Sequence, residues 1–163
     1  MAQHPEGGVL RAWVAGCATG EEAFSLGIAF KETLAQLCPP KTYTLQIFAT
    51  DLDADAIAKA RQGLYPENIT VDVAPEQLQQ FFVHEENGGY RIGKNVRELV
   101  TFAPHNLAQD PPFTKLDLLL CRNLLIYLTP ELQKKLFALF HYSLNPGGVL
   151  FLGPAETVDS PSD

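Results

Sequence analysis

The sequence predicts an α/β fold, a mostly parallel sheet with helices on both faces, on three observations. Residues 9–15 alternate and run into a turn bearing Gly16 and Gly20, which opens directly into a helical pattern. A second apolar run, residues 45–50, ends in Asp51, so strand, glycine turn, helix and acidic strand end follow as in a nucleoside-binding βαβ half-domain. Residues 116–121 are nearly all aliphatic, which suits a central parallel strand covered on both faces.

The elements follow in order. After the strand at 9–15, residues 21–37 carry Phe24, Ile28, Leu34 and Leu37 at near-helical spacing, and Cys38-Pro39-Pro40 stops that helix. Asp53 is placed as N-cap of an alanine-rich helix that ends on Gly63, a C-cap residue. The middle third departs from the pattern: 65–74 reads as irregular around Pro66, 75–82 as a short helix, and E-E-N-G-G-Y-R-I from Glu85 as a turn entering a strand. We take this stretch as an excursion from the main sheet. Residues 100–103 form a third sheet strand, followed by His105, Asn106 and Leu107 in a loop and a wet, proline-bearing connector at 108–115. Beyond the strand at 116–121, Thr129 and Pro130 make an N-cap and N1 pair for a helix through Leu136, Leu139 and Phe140 to Leu144. Asn145-Pro146-Gly147-Gly148 is expected to end that helix abruptly, before a strand at 149–152.

Composition narrows the function. A chain of 163 residues is about one domain, and 46% hydrophobic with 19% charged residues is ordinary for a globular protein. No apolar run approaches the roughly 20 residues of a spanning helix, and residues 1–8 hold no apolar signal core, so a cytoplasmic location is expected. Cys17, Cys38 and Cys121 form no C-x-x-C pair, and His4, His84, His105 and His141 are scattered, so neither a metal nor a disulfide framework is expected. A net charge of −7 argues against the clustered Lys and Arg of a nucleic-acid face.

The glycine loop is followed at once by Glu21 and Glu22, two carboxylates that would repel a pyrophosphate. They suit S-adenosylmethionine, which has an ammonium, a sulfonium and a ribose but no phosphate. Both glutamates also suit the helix dipole. Asp51 is placed for ribose hydroxyls, although D-L-D would serve a turn as well. Asn106 and Leu107 are positioned either to edge an adenine or to form a plain turn. C-R-N-L-L-I-Y-L, from Cys121, begins at the strand edge where open α/β sheets bind ligands, which makes Arg122 a charged residue at a site rim or a surface ion-pair partner. Tyr127 either lines that site or packs under the loop, Asn123 either caps the turn or touches ligand, and Cys121 reads as a small buried hydrophobe.

Taken together, A-G-C-A-T-G-E-E at Ala15, A-T-D-L-D at Ala49, the A-R-x-G-x-Y stretch from Ala60 to Tyr65, R-E-L-V-T-F at Arg97, H-N-L at His105, C-R-N-x-x-I-Y at Cys121 and N-P-G-G-x-L-F-L-G at Asn145 resemble the catalytic domain of the chemotaxis receptor methyltransferases, the CheR family. G-L-Y-P-E-N-I and the ending L-G-P-A-E-T-V resemble most the CheR module of hybrid proteins that join a methylesterase-like domain, this module and PAS sensors. The family often has Pro-Tyr where this chain has Ala23 and Phe24, and H-S-E where it has Pro154, Ala155 and Glu156.

The resemblance implies a Rossmann-like class I methyltransferase fold with a small β-subdomain between the second and third sheet strands, and methyl transfer from S-adenosylmethionine to glutamates of a methyl-accepting chemotaxis receptor. It places Ala15, Gly16 and Cys17 against the cofactor, Glu22 on its amino-acid or ribose side, Asp51 and Leu52 on ribose and adenosine, and Asn106 and Leu107 beside adenine. Cys121, Arg122 and Asn123 border the cofactor, and Arg122 and Tyr127 line the methyl-transfer site. The expected organisation is one domain over 1–163 with the excursion at about 66–99, without the helical N-terminal domain and closing hairpin of full-length relatives. The compact turn at 84–89 resembles that of members that do not grip a receptor tail peptide, so no such tethering is expected. Two rival readings are a module that senses S-adenosylmethionine or S-adenosylhomocysteine without transferring methyl, and an NAD-linked dehydrogenase. Glu21, Glu22 and the lack of G-x-G-x-x-G weigh against the latter.

Overall fold

A computed structural model describes residues 8–37, 43–122 and 124–153. In chain order its elements are β1 (Val9–Ala15), α1 (Glu21–Gln36), β2 (Thr44–Asp51), α2 (Ala54–Gln62), β3 (Leu64–Tyr65), α3 (Pro75–Phe81), β4 (Phe82–His84), β5 (Tyr90–Ile92), α4 (Lys94–Arg97), β6 (Val100–Pro104), β7 (Leu116–Cys121), α5 (Pro130–Ser143) and β8 (Leu144–Leu152). Short 3-10 turns lie at Glu67–Val71 and Leu125–Tyr127.

The main sheet has five strands in the order β6-β2-β1-β7-β8, every pair parallel. Alternation along β1 sends successive side chains to opposite faces. Ala12 and Val14 join Phe24, Ile28, Ile57 and Ala60 under α1 and α2, while Trp13 and Ala15 join Leu136 and Phe140 under α5. The chain moves one way from β1 through β2 to β6, then returns to β7 on the other side of β1 and continues to β8. The loops leaving β1 and β7 therefore diverge, and their carboxyl ends frame the crevice where sheets of this kind take ligands.

The caps behave as their chemistry requires. Asp53 accepts the amides of Asp55 and Ala56 at 2.9 and 3.3 Å, and Gly63 closes α2 at φ 63°. Thr129 accepts the Leu132 amide at 3.2 Å ahead of Pro130.

Three expectations are corrected and one element is added. Residues 65–74 are not wholly irregular: β3 includes Tyr65 and a 3-10 turn follows. Phe82 leaves the short helix to begin β4, which pairs antiparallel with β5 in a second, three-stranded sheet of order β3-β5-β4. The short α4 has no strong periodic signal and was not anticipated. Finally, the N-P-G-G sequence does not separate helix from strand, because β8 starts at Leu144 and runs through it. The register steps from Leu116↔Leu144 to Leu118↔Val149, so the extra residues interrupt the pairing within the strand instead of preceding it. Gly147 supplies φ 79° there, and Asn145 Nδ2 donates to the Lys115 carbonyl at 3.2 Å, which fastens the interruption to the chain entering β7. The stop expected at Cys38-Pro39-Pro40 lies outside the described residues; α1 ends at Gln36, with Leu37 extended. Among the described residues no helix is long and apolar enough to cross a membrane.

Candidate functional site

The turn after β1 is fastened to the end of β2. The amides of Gly16 and Cys17 both donate to the Thr50 carbonyl at 2.8 Å. Three of the loop's residues are left-handed: Gly16 at φ 73°, Ala18 at φ 49° and Gly20 at φ 95°. Glycine is required at Gly20, where a Cβ would lie 3.1 Å from both Ala60 Cβ and Phe102 Cζ. Ala18 bears its left-handed geometry without that freedom.

Asp51 is half-buried, and its carboxylate holds two amides. Oδ2 accepts from Ala18 and Oδ1 from Asp53, each at 2.9 Å. The acidic strand end is thus a turn residue of D-L-D, the alternative reading of Asp51. Tyr65, from the small sheet, donates its hydroxyl to the Thr19 carbonyl at 3.0 Å. The Thr19 hydroxyl in turn donates to the Glu21 carboxylate. Burial pushes the Cys17 thiol up to about 12, with the Asp51 charge adding to the effect, so Cys17 is a protonated, apolar wall of the loop.

Arg122 leaves the end of β7 and reaches this loop. Its Nη1 lies 3.7 Å from Glu22 Oε2, in the first turn of α1. Its Cζ sits 5.5 Å from the centre of the Phe151 ring, a cation–π contact supplied by β8. Arg122 Nε is buried with no hydrogen-bond partner among the described residues. Arg122 is therefore an ion-pair partner, as one reading held, and the partner is the glutamate assigned to the cofactor.

Gly16, Cys17, Glu22, Asp51 and Arg122 come together at one edge of the sheet. Leu52 and Tyr127 are exposed beside that edge, at 72% and 79%, so Tyr127 does not pack under its loop. Ala15 and Cys121 are buried in the core and have only backbone to offer a ligand. Asn106 forms a turn: its Oδ1 accepts the Ala108 amide at 3.0 Å, and its own amide donates to Asp110 at 2.7 Å. Leu107 packs against the cluster around Trp13. Asn123 lies outside the described residues. The motifs at Ala49 and Asn145 contain Thr50 and Phe151 but gave neither a role. Thr50 reads as one more β-branched strand residue, and Phe151 as one more apolar residue of β8. A groove also runs along α1 against the small sheet, lined by Phe24, Ile28, Tyr65 and Phe82 among others.

Residues 1–163 match the family described as CheR methyltransferase, SAM binding domain. An uncharacterized 104.1 kDa protein of Rhodobacter capsulatus is 42% identical over 158 residues, covering 97% of this chain and 16% of that protein. A chemotaxis protein methyltransferase of Vibrio parahaemolyticus is 34% identical, covering 94% of this chain and 56% of the relative. Chemotaxis protein methyltransferase 1 of Pseudomonas aeruginosa is 32% identical, covering 94% and 57%. The chain thus spans little more than half the length of these named methyltransferases. Among solved structures, the glycopeptide N-methyltransferase MtfA with S-adenosylmethionine superposes at TM-score 0.54 and 13% identity, over 88% of this chain and 46% of that one. PKMT2 from Rickettsia typhi with AdoHcy superposes at TM-score 0.53 and 14% identity, over 88% and 20%. At such identities the likeness is one of fold.

Proposed function

The chain belongs to the CheR methyltransferase family, and from that premise we propose that it transfers methyl from S-adenosylmethionine to glutamate side chains of chemotaxis receptors. The observation that carries this reading is the meeting of Glu22 and Arg122, 3.7 Å apart, beside the loop that Asp51 closes. The donor set fits the cofactor: a carboxylate for ribose hydroxyls, a second carboxylate for an ammonium, and glycine-bearing backbone opening a helix whose first turn is acidic. When bound, the cofactor supplies an electrophilic methyl group on a sulfonium.

Each residue then has a stated task. Asp51 holds ribose, with Leu52 beside the adenosine, and Asn106 with Leu107 bounds adenine. Glu22 takes the amino-acid end, with Gly16 and Cys17 as the floor and Cys121, Arg122 and Asn123 along the border. A substrate glutamate with a pKa of about 4.3 is already ionised at neutral pH, so no general base is needed. What remains is to align its oxygen with the methyl carbon at roughly 3 to 3.5 Å and exclude water. Arg122 orients and balances that carboxylate, and Tyr127 walls the methyl pocket. No tail-peptide tethering is proposed, because the turn at 84–89 is folded back on Glu67.

The test is transfer of labelled methyl from S-adenosylmethionine to receptor glutamates, with Arg122→Ala beside the parent protein. Labelled glutamyl ester that disappears in the variant supports the proposal. Cofactor binding without ester formation would replace it with a sensing module.

A further inference from the structure

Trp13 is the chain's single tryptophan and is fully buried beneath the site, where its ring meets Thr50 at the end of β2 and His105 just after β6. Its Nε1–H donates to Thr50 Oγ1 at 2.9 Å, in a pair buried on both sides. The carbonyl of the same Thr50 accepts the Gly16 and Cys17 amides. Edge-on, the indole meets the His105 ring at 5.4 Å, and the His105 amide donates to the Asp51 carbonyl at 3.0 Å. An indole N–H is a donor only, and leaving it unpaired in the core is destabilising. The Thr50 hydroxyl is thereby held in one rotamer, at the residue whose carbonyl carries the glycine loop. Valine would fill the same space in the strand and leave both the rotamer and the indole donor unsupported.

We infer that Thr50 is a positioning residue of the cofactor loop, anchored from below by Trp13. The inference rests on the proposed site, in which Gly16 and Cys17 face S-adenosylmethionine. The hydroxyl does not reach the cofactor; it sets the carbonyl that sets the two amides. A bond that served only the core would change stability and leave the affinity of the folded chain for cofactor as it was.

The experiment is calorimetric titration of the 163-residue chain with S-adenosylhomocysteine, alongside Trp13 emission. The parent binds, and its tryptophan emission changes on binding, because the single tryptophan is hydrogen-bonded to the residue whose carbonyl carries the loop. Thr50→Val weakens binding about tenfold, the equivalent of about 1.4 kcal/mol, and abolishes the emission change at saturation. Thr50→Ser, which keeps the hydroxyl, restores both. Should Thr50→Val fail to fold, Trp13→Phe removes the same hydrogen bond from the other side and weakens binding to the same degree by calorimetry. The double variant is no weaker than either single one if the two act as a unit. Parent-like affinity in a folded Thr50→Val or Trp13→Phe overturns the inference alone. Absence of binding by the parent chain overturns the cofactor site and this inference together.

Discussion

Asp51 and Ala18 are joined across the mouth of the sheet, the Asp51 carboxylate accepting the Ala18 amide at 2.9 Å while its other oxygen accepts Asp53. One side chain therefore closes the glycine loop and the turn into α2. Each carboxylate oxygen keeps a further acceptor site, so loop closure leaves room for the proposed ribose contact. Asp51→Ala removes two charge-assisted contacts and the proposed ribose acceptors, and S-adenosylhomocysteine affinity is expected to fall by about 100-fold, or roughly 2.7 kcal/mol. Asp51→Asn, which keeps one acceptor, is expected to fall between. Titration calorimetry decides, and unchanged affinity in Asp51→Ala would remove Asp51 from the site.

Much of this arrangement was legible locally. β1 and β7 have the bounds that alternation and the aliphatic run predicted, and Asp53 and Thr129 are caps because a short oxygen-bearing side chain stood just ahead of a periodic segment. The glycine loop and Asp51 were legible for the same reason. What escaped were pairings between residues far apart in sequence: Trp13 with Thr50, Tyr65 with Thr19, Arg122 with Phe151. None leaves a periodic or spacing signal. Asn145-Pro146-Gly147-Gly148 misled for another reason, since residues that favour a turn also accommodate an irregularity inside a strand, and only the pairing with β7 shows which occurs.

Ala18 stands at φ 49°, a left-handed conformation that favours glycine. A left-handed alanine costs about 1–2 kcal/mol, and glycine forfeits about 0.5–1 kcal/mol of that through its larger unfolded-state freedom. Ala18→Gly is therefore expected to stabilise the chain by about 0.5 kcal/mol, measured by urea unfolding. Clear destabilisation would mean that the exposed methyl group has a packing role.

Gly20→Ala is the opposite case within the same loop. It places a Cβ at φ 95° and within 3.1 Å of Ala60 and Phe102, both packed in the core under α1 and α2. Strain and overpacking act together, and a loss of about 2–3 kcal/mol is expected in the same urea series. A loss under about 1 kcal/mol would show that the α1 start can shift away from Phe102.

Cys17 supplies a pH test. Its thiol is raised to about 12, first by burial and then by the Asp51 charge, whereas an unfolded cysteine ionises at about 8.5. The folded state favours the neutral thiol, so this contribution to stability is complete below the unfolded value and declines as pH rises from there toward the folded one. Peptide-mapped alkylation at pH 8.5 is expected to modify Cys17 slowly in the folded chain and rapidly in urea. Equal rates would mean that the loop opens freely.

Glu67 supplies a test at the other end of the scale, in the small sheet. Its carboxylate takes a hydrogen bond from His84 and another from the Gly89 amide at 3.0 Å, and these, the His84 bond foremost, hold it below its ordinary 4.5. A depressed carboxyl stabilises the fold above the unfolded value, and that contribution is lost as pH falls through the folded one. The Gly89 amide resonance is the direct reporter, since its bond weakens when Glu67 takes a proton. Its titration midpoint is expected below 4.5, and Glu67→Gln is expected to abolish the transition. The same variant frees the turn at 84–89 from its staple. If that turn is what withholds the small sheet from a peptide, a receptor-tail peptide will bind Glu67→Gln and not the parent; binding to the parent would overturn the proposed absence of tethering.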